Sequence, residues 1–163
     1  MTTDETANSL MREGYPFLQM IQPLREQVLA MLNDEDLAFA LPGNPTLGVI
    51  CRQMGDVQGA YVQSFRDFAM AHSYPASRPE AENSVQALRD WYQELDADMA
   101  AVLAGLTEAD IHERQIQRPG FAIPLMGQLM AYREALFIFY GKASVYLQAI
   151  DKDIPQQWRE WIG

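Results

Sequence analysis

Four runs of apolar residues, each spaced at steps of three and four, leave this chain few ways to fold. Over 15–33 the run is Phe17, Ile21, Leu24, Val28 and Met31. Over 46–72 it is Leu47, Ile50, Met54, Val57, Tyr61, Phe65 and Phe68. Over 84–105 it is Val85, Leu88, Tyr92, Leu95, Met99 and Val102. Over 123–150 it is Leu125, Leu129, Tyr132, Leu136, Phe139, Ala143, Tyr146 and Ile150. This is the 3.6-residue period, and each run predicts an amphipathic helix with a single apolar stripe. At 1.5 Å per residue the helices are roughly 30–40 Å long, and helices of that length bury their stripes by packing side by side. No segment alternates as a strand does. The expectation is an all-α four-helix bundle with a short C-terminal helix. Its 163 residues form one domain with a substantial core.

The breaks fall where helices should stop. LPGNPT (41–46) carries two prolines and a glycine, and Thr46 is placed to cap the second helix. SYPASRPE (73–80) closes that helix, and Ser84 is placed to cap the third. LTEADI (106–111) predicts a short helical turn. RPGFAIP (118–124) leads into the fourth helix, and Pro155 suits the first turn of a small helix holding Trp158 and Trp161. The linker between the third and fourth helices is the longest, which allows a crossover there. The stretch 1–14, MTTDETANSLMREG, reads as a flexible N-terminus.

Charge narrows the partners. A net charge of −10 and a pI near 4.5, with no basic stripe, disfavour a phosphate backbone and an anionic membrane surface. The N-terminus has no basic region followed by an apolar one, and no segment reaches 18 uncharged apolar residues, so a cytoplasmic protein is expected. Cys51 is the single cysteine, which excludes an internal disulfide.

Two stretches carry a family resemblance. TLGVICRQMGDVQGAY (46–61) resembles a second-helix signature that opens Ser/Thr-Leu-Gly and places a histidine seven residues after the Ser/Thr. ALFIFYGKASVYLQAIDKDIP (135–155) resembles a C-terminal signature: His, three residues, His, one residue, Gly-Gln, then an apolar helix end, a loop and Pro. Both belong to the DinB/YfiT-like metalloenzyme superfamily, whose members are four-helix bundles. The resemblance implies three histidines holding one divalent metal, such as zinc or nickel, between the helices. It also implies a homodimer, and the family name implies an association with DNA-damage-inducible genes.

This chain departs from the pattern at all three ligand positions, which read Gln53, Ala135 and Phe139. Alanine and phenylalanine have no donor atom, and an amide is a poor ligand where imidazole or thiolate is preferred. The two histidines, His72 and His112, stand 40 residues apart with no third partner. The expected metal set is therefore none, and no cofactor is expected.

Other candidates carry bland readings beside sharp ones. Tyr132, Tyr140 and Tyr146 line a pocket or pack at a helix interface. Gln53 and Asp56 make a polar spot facing the bundle or lie on its flank. With Tyr132 and Phe139 they are the candidate pocket residues. Cys51 is a nucleophile or a buried inert thiol, the second being favoured by the lack of a histidine within helical reach. Glu94, Asp96 and Asp98 read as a solvated face. Helix four is apolar nearly all round from 135 to 140, hence central or covered by a second subunit, with Gly141 permitting close approach. Two function classes follow. One is a metal-free protein that binds a small apolar or amphipathic molecule or acts as a dimeric stress-associated protein. The other is a metal- or thiol-dependent hydrolase or transferase in which His72, Gln53, Asp56 or a tyrosine converge.

Overall fold

The computed structural model describes residues 7–71 and 76–163. Proline placement shapes the first rod. Pro16 and Pro23 have no N–H to give to the carbonyl four residues back, so each opens a helical segment instead of continuing one. The rod is a π-helical turn, Leu10–Gly14, followed by α1 (Tyr15–Ile21) and α2 (Pro23–Met31). Helical dihedrals at the Gln22 junction (φ −56°, ψ −40°) keep the pieces continuous. The single helix expected over 15–33 is thus segmented and starts earlier. Residues 8–14 also correct the expected loose N-terminus. Leu10 is fully buried, and Asn8 Nδ2 donates to the carbonyls of Leu103 and Leu106 at 2.7 and 2.8 Å.

The remaining rods follow their stripes. α3 (Leu47–Asp67) is capped by Thr46, whose Oγ1 accepts from the Val49 N–H at 3.2 Å, and it ends at Phe68 in the left-handed region (φ 55°). α4 (Val85–Ala104) is capped by Ser84, whose Oγ accepts from the Ala87 N–H at 3.3 Å. The short α5 (Glu108–Glu113) opens on a reciprocal cap between Thr107 and Asp110. α6 (Leu125–Ala149) is the fourth long rod, and α7 (Gln156–Trp161) follows Pro155.

A hairpin stands where no strand was expected. β1 (Gln115–Arg118) pairs antiparallel with β2 (Phe121–Pro124), with Ile116 opposite Ile123. Pro119 and Gly120 (φ 87°) form the connecting turn, a pairing suited to a type II bend. The Gln117 N–H donates to the Phe68 carbonyl at 2.9 Å and the Met70 N–H donates to Gln117 at 2.8 Å, which ties β1 to the end of α3. With four residues per strand and only Ile116 fully buried, the period of two has no length in which to show.

Contacts fix the order and direction of the rods. α3 packs on α4 and α6, and α1–α2 pack on the same two helices. Gly48 meets Glu82, Gly55 meets Trp91 and Gly59 meets Leu95, so α3 and α4 run parallel. Ser64 bonds Gln128 while the Tyr146 hydroxyl reaches the Pro45 carbonyl, so α3 and α6 run antiparallel. Gly14 meets Leu129 and the Tyr140 hydroxyl donates to the Ile21 carbonyl, so α1 and α6 run parallel. The bundle is up-down-down-up.

Parallel neighbours cannot be joined by a tight turn. Residues 76–84 accordingly lie along α3, with Ser77 bonded to Asp56 at 2.9 Å and Glu82 to Arg52 at 2.9 Å. The crossover lies here, between the second and third rods; the longer α4–α6 linker, which allowed one, joins antiparallel rods instead.

α6 is less enclosed than its composition suggests. Leu136, Phe139 and Tyr140 are buried, but Phe137 and Ile138 are 39% and 61% exposed. Nothing lies within 4 Å of a side chain added at Gly141, so no close approach within the chain uses that glycine. The tail covers part of α6 through Trp158, fully buried with its ring 5.2 Å from that of Tyr140. No helix among the described residues is long and apolar enough to cross a membrane.

Candidate functional site

Positions 135 and 139 are one turn apart and share a face of α6, and α3 runs antiparallel opposite them. The structure brings Gln53, Ala135 and Phe139 onto one cavity of about 170 Å³, completed by Ile50, Met54, Val57, Ile138 and Lys142. A second cavity of about 270 Å³ shares Ile50, Gln53 and Lys142 and continues past Asn44, Val145 and Tyr146. A third, of about 390 Å³, opens on the other side of Gln53 against Arg52, Asp56, Val57 and Ala76. Gln53 thus stands on the wall of all three; the first two form a groove between α3 and α6, and the third lies on the other flank of α3.

The polar groups here differ in what they have left to offer. Asp56 is buried, with Arg52 Nη1 donating to one oxygen and the Ser77 N–H and hydroxyl donating to the other at 2.9 and 2.8 Å. Arg52 is shared with Glu82. The chain's two lysines contrast. Lys152 pairs with Asp36 at 2.6 Å, whereas Lys142 has no ion-pair partner among the described residues and lies on the groove wall.

The tyrosines separate in the same way. Tyr140 and Tyr146 each donate their hydroxyl to a backbone carbonyl at 2.7 Å, of Ile21 and Pro45 respectively. Tyr132 does not line the groove. It is fully buried, tilted against the Tyr61 ring at 5.2 Å, and its hydroxyl has no partner among the described residues. Burial raises its pKa well above that of a free phenol. His112 is exposed on α5 with Glu108 3.4 Å away, and His72 lies outside the described residues.

Cys51 is fully buried, its backbone carbonyl taken by the Tyr92 hydroxyl at 2.6 Å, and burial pushes its thiol up to about 12. A thiol in that state is not a nucleophile at neutral pH. In the native protein, Cys51 is expected to resist a thiol-reactive disulfide reagent at pH 8 and to react fully within minutes once urea unfolds the chain. A full equivalent of rapid labelling without denaturant would refute this.

A second polar cluster escaped the sequence reading. Arg25, 2% exposed, donates through Nη1 to Gln58 Oε1 and through Nη2 to Asp96 Oδ1. Gln58 and Gln22 donate to the same Asp96 oxygen at 2.8 and 3.0 Å, and the guanidinium lies 4.5 Å from the Tyr92 ring centre. Burial opposes its charge, but the surrounding Tyr132 and Asp96 oxygens outweigh burial and raise its pKa, so it stays protonated. Asp96, 35% exposed, therefore stands at the border between the solvated face it shares with Glu94 and Asp98 and the buried network of Arg25 and Gln58. A cavity of about 440 Å³ opens beside this network, against Tyr15, Gln22, Arg89 and Tyr92. The signal was in the spacing. Arg25 follows Ile21 by four and precedes Val28 by three, Gln58 does the same between Met54 and Tyr61, and Asp96 between Tyr92 and Met99. Each polar residue sits within an apolar stripe.

Comparison with known proteins follows the architecture. No family model and no curated protein sequence matches the chain. Among solved structures it is similar to a DinB-like protein from Bacillus cereus ATCC 10987, with a TM-score of 0.68 and 19% identity, covering 88% of this chain and 95% of that one. Likeness at that identity is likeness of fold, and the chain accordingly has an all-α, DinB-like fold.

Proposed function

We propose that this DinB-like protein binds a small apolar or amphipathic molecule in the α3–α6 groove, without the three-histidine metal set of the family it resembles. One observation carries the reading: the three positions that match the family's ligands line one cavity and offer a single amide among them. A divalent cation held between helices needs several donor atoms. Here Ala135 and Phe139 supply carbon, Asp56 is already engaged in three hydrogen bonds, and Lys142 adds positive charge to the wall. Among the described residues no group of three or more His, Cys, Asp or Glu is placed to hold a metal. These residues do not fit the metal, and the same substitutions leave an apolar surface suited to hydrocarbon.

The alternative, a hydrolase or transferase with substitute residues, has Gln53 and Asp56 on one cavity in its favour. The bonds that occupy Asp56 weigh against it. Self-association through the exposed Phe137 and Ile138 remains compatible with a ligand-binding role, and sedimentation at micromolar concentration tests it.

Two measurements test the reading. Untagged protein prepared without chelators is expected to carry well below one transition metal per chain by elemental mass spectrometry. Stoichiometric zinc, nickel or iron overturns the metal-free reading. A neutral aromatic probe such as 1-aminoanthracene is expected to bind the wild type and to lose at least tenfold in affinity in Ala135→Trp, which fills the groove. Equal binding by the two places the probe elsewhere and removes the groove as the site.

A further inference from the structure

Resting on the groove as a ligand site, we infer that its occupant is an amphiphile with an anionic head, a carboxylate, held at Lys142 with its alkyl chain running toward Ala135 and Val57. Antiparallel packing sets the ends of the smaller cavity. Val57 and Ala135 close one end, and Ile50 and Lys142 stand at the other. Seven helical residues separate Ala135 from Lys142, a run of about 10 Å along α6. Between these ends the wall is apolar except for Gln53. The cavity thus has a greasy length and one charged end.

The sign of the head follows from the charges around it. Asp56 and Glu82, the carboxylates on the α3 side, are both paired with Arg52, so neither is left to hold a cationic head. Lys142 has no ion-pair partner among the described residues. A neutral ligand that covered it would strip water from an ammonium and return nothing, and a cationic one would repel it. An anion compensates the loss, and the Gln53 amide adds a donor within the same cavity. The net charge of −10 does not reverse this. At physiological salt the screening length is about 8 Å, so distant carboxylates are damped while a lysine in contact is not.

The test compares three alkyl probes of equal length, octanoate, octanol and octylamine, below their micellar concentrations. Binding is read from methyl NMR shifts of Val57, Ala135 and Ile138. In the wild type, octanoate is expected to bind about tenfold more tightly than octylamine at 0.1 M salt, where the screening length is about 10 Å, with the advantage falling to a few-fold at 0.5 M salt. Lys142→Gln should bring the probes to parity, and Lys142→Glu should reverse their order. Lys142 is exposed, so both variants keep the fold, which circular dichroism checks. If octanol or octylamine equals octanoate in the wild type, or if Lys142→Glu leaves the order unchanged, the anionic head is wrong and the groove stands. If none of the three probes moves these methyl signals while 1-aminoanthracene still binds and Ala135→Trp abolishes it, the amphiphile is wrong and the groove again stands. If 1-aminoanthracene also fails, the groove reading falls and this inference with it.

Discussion

Arg25→Met will destabilise the protein by about 2 kcal/mol, the expected result of removing the buried partner from a network whose carboxylate keeps about a third of its surface in water. Methionine nearly fills the space but leaves the fully buried Gln58 without its donor and Asp96 without its counter-charge. In a urea titration the midpoint should fall with little change in slope. The network is not fully satisfied even in the wild type, since Arg25 Nε and the Tyr132 hydroxyl have no partner among the described residues. Polar clusters of that kind add less stability than well-packed hydrocarbon of similar volume. The combined variant Arg25→Met, Gln58→Leu, Asp96→Asn should therefore regain at least half of the loss. A single-variant loss under 1 kcal/mol, or a combined variant weaker than the single one, would show that the cluster does not anchor the bundle.

Gly48→Ala is the second large effect expected, and it has a different origin. A Cβ at position 48 would stand 1.9 Å from the carbonyl oxygen of Glu82. That atom belongs to backbone pinned between the Arg52–Glu82 ion pair and the Ser84 cap, so it cannot swing aside as a flexible side chain would. Overpacking against main chain costs about 3 kcal/mol, at the upper end of such substitutions. Gly141→Ala is the control. With nothing within 4 Å, it should gain roughly 0.5–1 kcal/mol from helix propensity alone. The two alanines, both on long helices, should thus shift the thermal midpoint in opposite directions. If Gly48→Ala melts with the wild type, the crossover segment does not lie against α3 as described.

The long helices were legible because their stripes run for 20 residues or more in α3, α4 and α6, with caps Thr46 and Ser84 at the stated positions. What the stripes cannot encode is which helix neighbours which. Linker length allowed a crossover before the fourth rod without requiring one, and contacts made by Gly48, Arg52 and Asp56 place it after the second. The hairpin was lost because four-residue strands are too short for periodicity to register. The groove was legible at Gln53, Ala135 and Phe139 through the family resemblance, and the structure gathers those three. Tyr132 was read as lining a pocket or packing at a helix interface, and the structure gives it the interface, since a stripe gives a face of a helix without saying which neighbour that face meets. The Arg25 cluster went unread because a lone polar residue inside an apolar run looks like noise until two more helices show one in the same setting.

The parallel pairing of α3 and α4 bears on how the chain reaches this state. Antiparallel neighbours can zip from a short turn, each step shortening the next loop. Here the contacts that join α3 to α4 link residues 55 and 91 and residues 59 and 95, each across more than 30 intervening positions. No helical hairpin exists to be formed first along this pair, and loop-closure entropy must be met before any of its burial is gained. α3 and α4 must therefore assemble through encounters between distant parts of the chain, and refolding should be slower than that of an up-down-up-down bundle of equal length.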